Sequence, residues 1–122
     1  MQSKINLDLV TFEKVSELVQ AGHQVMVFVH ARKETVKAAL ALREAASKEG
    51  MLDNFSCQDH QNYGHFRHEI GASRNKEMKQ LFDDGFGIHH AGMLRADRNM
   101  MEKMFNARAI KVNTIYTIHS VL

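Results

Sequence analysis

The spacing of apolar residues changes period several times along the chain. Leu7, Val10, Val15, Leu18 and Val19 recur at helical spacing, and Gly22 follows as a stop. Val25 to His30 is then a continuous run rich in β-branched residues, the pattern of a parallel strand covered on both faces. Lys33 to Glu49 returns to helical spacing through Val36, Ala39, Leu40 and Ala46, and Gly50 closes it. No period holds over about residues 51–73, where polar and turn-forming residues predict a long surface insertion with at most a short helix. Order returns with a helix over residues 74–82, a short strand from Phe86 to His90 and a turn at Ala91-Gly92. A helix from Leu94 to Ala107 follows, with Leu94, Met101, Met104 and Phe105 on one face. Ile110 to Val112 begins a third strand that could run on to Ile118.

Strands alternating with helical crossovers define an α/β fold with a parallel sheet of about three strands and flanking helices. Three strands make a thin sheet, with an open edge and an apolar face that predict poor solubility. Composition narrows the setting. Apolar residues make up 44% of 122 residues, enough for one small core. The longest apolar runs fall far below the roughly 18 residues of a membrane span, and the first residues lack the apolar stretch of a secretory signal. A single cysteine, Cys57, excludes an internal disulfide and points to a reducing compartment, cytoplasm or nucleus. Net charge is only +2, so any nucleic-acid site has to be a local concentration of basic groups.

Chemistry in a parallel sheet gathers where the strands end. Two such places stand out. His30-Ala31-Arg32-Lys33-Glu34-Thr35 leaves the first strand and opens a helix, where amides and cations can hold a phosphate; a solvated charged cap explains the same residues. His89-His90-Ala91-Gly92-Met93-Leu94-Arg95-Ala96-Asp97-Arg98 leaves the second strand through a small-residue turn, with Arg95 and Arg98 on one face of the next helix; a plain helix start is the alternative. Cys57, His60, His65 and His68 raise zinc, but one thiol at this spacing fits no familiar finger. A nucleophilic Cys57 lacks a strand-to-helix elbow. No Gly-x-x-x-x-Gly-Lys-[Ser/Thr] occurs, so the chain carries no phosphate cradle for ATP.

Taken together, the run from Gln24 to Thr35 resembles motif IV of superfamily 2 helicases in their Ski-like branch. Phe86 to Asn99 resembles the block that follows it, and Met101-Glu102-Lys103-Met104-Phe105 and Ile110-Lys111-Val112 continue the match in order. Within that branch the chain is most similar to the enzymes with two tandem cassettes, in the first cassette, with a spliceosomal relative as the alternative. The resemblance implies part of the second RecA-like (P-loop NTPase-type) domain over residues 1–112, with the variable insertion about 51–73 and a divergent tail over 113–122. It also implies an ATP-driven 3′-to-5′ translocase on single-stranded RNA or DNA, working with other domains or subunits of a helicase complex. His30, Ala31, Arg32, Gly92, Met93 and Arg98 would then line the strand through backbone and phosphate contacts. After Val112 the chain reads Asn113-Thr114-Ile115-Tyr116-Thr117-Ile118-His119-Ser120-Val121-Leu122, which matches neither motif V nor motif VI. Without these and the Walker motifs, this chain alone is expected to hold no ATP or magnesium and to be catalytically inactive. A non-catalytic interaction fragment is the rival reading.

Overall fold

The computed structural model describes residues 2–117, with side chains from Thr11 onward. In chain order the elements are α1 (Gln2–Gln20), β1 (Val25–Phe28), α2 (Glu34–Lys48), α3 (Leu52–Phe55), α4 (Tyr63–Gly71), α5 (Lys76–Phe82), β2 (Phe86–His89), α6 (Arg95–Asn106) and β3 (Val112–Ile115). The fold is α/β: three parallel strands in the order β1-β3-β2, flanked by helices, the arrangement of a partial RecA-like domain. The chain crosses from β1 to β2 through α2 and returns to β3 through α6. The two crossovers run in opposite directions on opposite faces and so share one hand, as parallel units require.

Register sorts the side chains between the two faces. Val25, Val27, Val112, Thr114, Phe86 and Ile88 share one face, and Met26, Phe28, Asn113, Gly87 and His89 share the other. The first face carries α1, α2 and α3. There the rings of Phe55 and Phe86 stack with centroids 5.2 Å apart, and Phe12 lies against Phe55 at 6.4 Å. On the second face α6 lies over β2, where Met101 and Ile110 press against Gly87. Gln24 ties the start of β1 to that layer, donating from Nε2 to the carbonyls of Phe105 (2.6 Å) and Ile110 (2.8 Å).

Three expectations need correction. The stretch 51–73 is no surface insertion: it forms α3 and α4 and buries Phe55, Cys57, Phe66 and Ile70. Phe55 and Cys57 enter the core two residues apart and Phe66 and Ile70 four apart, so no single period runs through the segment. β1 is not covered on both faces, because α6 sits over β2 and leaves Met26 54% and Phe28 55% exposed at the sheet margin. The third strand starts at Val112 rather than Ile110, and continues through Ile115 within the extension expected for it. Ile118, and the side chains of Leu7 and Val10, lie outside what is described.

The short link between α5 and β2 depends on Gly85. Its φ of +83° lies in the left-handed region, and a Cβ there would collide with the Phe55 carbonyl. Gly85→Ala is therefore expected to destabilise the chain by more than about 2 kcal/mol in chemical denaturation. Gly50→Ala, also at positive φ but facing open space, should cost about 1 kcal/mol. Equal losses for the two variants would show that the Phe55 contact is not what fixes Gly85.

Candidate nucleic-acid interface

Because the strands are parallel, all three end on one rim. From β1 the chain passes through Val29, His30, Ala31 and Arg32, and Glu34 and Thr35 close the first turns of α2 onto the carbonyls of Ala31 (3.0 Å) and Arg32 (3.1 Å). His30 and Arg32 are exposed and Ala31 is half-buried. From β2 the chain turns tightly. Met93 N–H donates to the His90 carbonyl at 3.1 Å, and Gly92 N–H donates to His90 Nδ1 at 3.0 Å.

The two exits meet. β3 separates β1 from β2 by two strand spacings, about 10 Å, and the Arg32 side chain spans that gap to lie on Gly92. A Cβ at position 92 would collide with the Arg32 guanidinium and come within 3.1 Å of His90 Nδ1. The bare Cα of Gly92 is thus the floor on which Arg32 rests. Arg98 completes the group from the first turn of α6. Its Nε is buried and makes no hydrogen bond, and no carboxylate pairs with Arg32 or Arg98 among the described residues.

His90 reports the resulting field. Its pKa is lowered by burial first, then by Arg32, His89 and Arg98. It is therefore neutral near pH 7, with Nδ1 accepting from Gly92 and the proton on Nε2. Two acidic groups of α6 are engaged elsewhere: Glu102 bonds His89 at 2.8 Å, and the buried Asp97 accepts from Ser73 Oγ at 2.8 Å. Since Ser73 Oγ also accepts the Asn75 amide, Asp97 ties the start of α6, and Arg98 with it, to the α4–α5 link.

Of the residues singled out in the sequence, Arg32, Gly92 and Arg98 gather in one place, and His30 and Ala31 lie on the same rim. The Met93 side chain is buried in the core, and the Gly92 and Met93 amides are both used inside the turn. Sequence reasoning passed over His90 as the anchor of that turn and Asp97 as a tether. It also put Leu94 on the core face, whereas Leu94 is 66% exposed at the N-cap of α6. Cys57 and His60, raised for metal or thiol chemistry, are engaged elsewhere. Cys57 Sγ contacts the Phe82 carbonyl at 3.1 Å, and burial pushes its thiol up to about 11, far from a thiolate. His60 Nε2 is 2.7 Å from the Ala107 carbonyl, and no metal-holding group of three His, Cys, Asp or Glu residues forms among the described residues.

The rim of basic groups at the ends of parallel strands is carried on segments that resemble helicase motifs, and the chain's relatives are helicases. The chain is 50% identical over 112 residues to activating signal cointegrator 1 complex subunit 3 of Mus musculus, covering 92% of this chain and 5% of that protein. It is 50% identical over 111 residues to the RQC trigger complex helicase SLH1 of Saccharomyces cerevisiae, covering 91% and 6%. With the DExH-box ATP-dependent RNA helicase DExH14 of Arabidopsis thaliana it shares 41% over 106 residues, covering 87% and 5%. This chain is thus homologous to a stretch of large helicase subunits and spans about a twentieth of their length. No protein-family model matches it. None of its described helices is long and apolar enough to cross a membrane.

Two outcomes follow from the rim geometry. Gly92→Ala should cost no more than about 1 kcal/mol, since the flexible end of Arg32 can move aside and the His90 ring has to give by only a few tenths of an ångström, while the Arg32 Nε–H resonance shifts in an NMR spectrum; an unmoved resonance would contradict the contact. For His90 the folded pKa lies below the unfolded value of about 6.5. As pH falls through 6.5 the unfolded chain takes up a proton that the folded chain refuses, so stability drops until the lower folded value is reached. His90→Asn, whose amide oxygen can still accept from Gly92, should lose less stability between pH 7.5 and 5.5; equal losses in the two proteins would exclude His90 as the source.

Proposed function

We propose that this chain supplies part of the single-strand binding surface of an ATP-dependent 3′-to-5′ helicase, as the front part of the second RecA-like domain of a first cassette. Arg32 and Arg98 engage phosphates of single-stranded RNA or DNA. His30, Ala31 and Gly92 shape the rim along which the strand passes, and Met93 holds the turn from beneath. ATP and magnesium are bound by other parts of the helicase, and this chain alone does not hydrolyse ATP. The observation that carries the reading is the Arg32 guanidinium resting on Gly92, which joins two sequence-distant segments into one basic surface without a carboxylate partner among the described residues. The names of the relatives support it, since two of the three are called helicases.

The exposed pair Met26 and Phe28 favours a second reading, in which the chain serves as a non-catalytic contact between helicase domains or subunits. Titration of a labelled single-stranded oligonucleotide at several salt concentrations separates the two. Single-strand binding through phosphates weakens with salt at a slope near −0.7 per contact, so Arg32→Ala and Arg98→Ala should each weaken binding and flatten the slope by about 0.7. Arg67→Ala, whose guanidinium lies 3.5 Å from Asp83, should change neither. Absence of binding by the unaltered chain at low salt would overturn the strand-binding reading in favour of the second.

A further inference from the structure

The turn after β2 asks of residue 90 only a hydrogen-bond acceptor. Gly92 N–H donates to the side chain two residues back at 3.0 Å, a bond that asparagine or aspartate ordinarily supplies in turns. An imidazole closes the same turn and brings a second nitrogen. With Nδ1 taking the amide, the proton sits on Nε2, so the backbone itself sets His90 as a donor. The chain contains the same device once more. Asn62 N–H donates to His60 Nδ1 at 3.0 Å, but there Nε2 is spent on the Ala107 carbonyl at 2.7 Å. Nothing among the described residues takes the proton of His90 Nε2. Nor is that nitrogen one of the orphaned atoms sealed from solvent, which are Thr35 Oγ1, Arg98 Nε, Asn113 Oδ1 and Thr114 Oγ1. His90 thus carries an oriented donor that is unpaired and open to solvent.

Its surroundings say what it suits. The Arg32 guanidinium and His90 Nδ1 both border the small space that a Cβ at position 92 would fill. Burial, then Arg32, His89 and Arg98, keeps the ring neutral, so the fields of both arginines reach it. His89, next in the chain, is bonded to Glu102 at 2.8 Å. An open N–H beside two cations without a carboxylate partner favours an acceptor that carries negative charge. We infer that His90 donates from Nε2–H to a phosphate oxygen of the bound strand, beside the phosphates engaged by Arg32 and Arg98, an assignment that rests on the strand-binding reading. The arginines attract by charge, and the neutral imidazole adds direction, fixing where one phosphate oxygen sits against the turn. A neutral donor displaces no counterion of its own, so its contribution to affinity is nearly independent of salt.

Two substitutions in the full chain separate this contact from the anchoring of the turn, with a labelled single-stranded oligothymidylate as the probe at pH 7.5. His90→Asn keeps an acceptor for Gly92 and removes the far donor. It should melt close to the unaltered chain and bind the strand about tenfold more weakly. Its salt slope should change by much less than the roughly 0.7 expected for an arginine. His90→Gln keeps a donor near the Nε2 position and gives up the turn bond, so it should melt lower yet bind more tightly than His90→Asn. In the unaltered chain the His90 Nε2–H resonance should shift on adding oligothymidylate and its exchange with water should slow. If His90→Asn binds as tightly as the unaltered chain, or His90→Gln binds no better than His90→Asn, His90 serves the turn alone and the phosphate contact is overturned while strand binding by the arginines stands. If the unaltered chain binds no oligothymidylate even at low salt, the underlying reading fails and the contact with it.

Discussion

β3 runs between β1 and β2, parallel to both, and the rest of the architecture depends on that pairing. It sends all three strand exits to one side and leaves only two strand spacings between the loops after β1 and β2, a gap one arginine can span. Arg32 spans it, and Gly92, having no Cβ, leaves open the space that the end of Arg32 occupies. The basic character of the rim is therefore local. A chain with net charge +2 gathers Arg32, Arg98 and a histidine kept neutral beside them, while Glu102 and Asp97 of α6 are committed to His89 and Ser73.

Much of this was legible in the sequence. The alternation of Val25 to His30, the helical stripe to Glu49, Phe86 to His90 and the helix after Gly92 gave the parallel α/β class and put both loops at strand ends. What stayed hidden has physical causes. The periodicity test sees one face of one element at a time, so it misses a segment such as 51–73, which changes direction between Cys57 and Tyr63 and buries residues on either side of the bend. It also cannot tell a strand covered twice from one at a margin, because Met26 and Phe28 are apolar in both cases. Leu94 fitted a helical stripe by spacing, but it precedes the first full turn, where the stripe has not yet begun. That the exits carrying Arg32 and Gly92, sixty positions apart, meet on one rim was expected from parallel strands; that the Arg32 side chain lies directly against Gly92 was not.

The corrected segment has its own logic. Phe55 bridges Phe12 of α1 and Phe86 of β2, and its carbonyl occupies the space next to Gly85. Tyr63 stacks on Phe82 with centroids 5.9 Å apart and donates to Asp83 at 2.8 Å, while Lys103 of α6 bonds Glu69 of α4. The irregular stretch thereby braces both the entry to β2 and the helix that carries Arg98. A segment remote from the rim in sequence thus helps to hold the rim's second half in place.

The seating of Arg32 on Gly92 also binds the two positions into a single heritable unit. A descendant that acquires any side chain at 92 must shorten or redirect the residue at 32, and one that loses the long residue at 32 frees 92 to vary. Among homologous chains the two columns should drift together, so that the three-dimensional rim leaves a trace in one-dimensional records wherever such chains have diverged far enough.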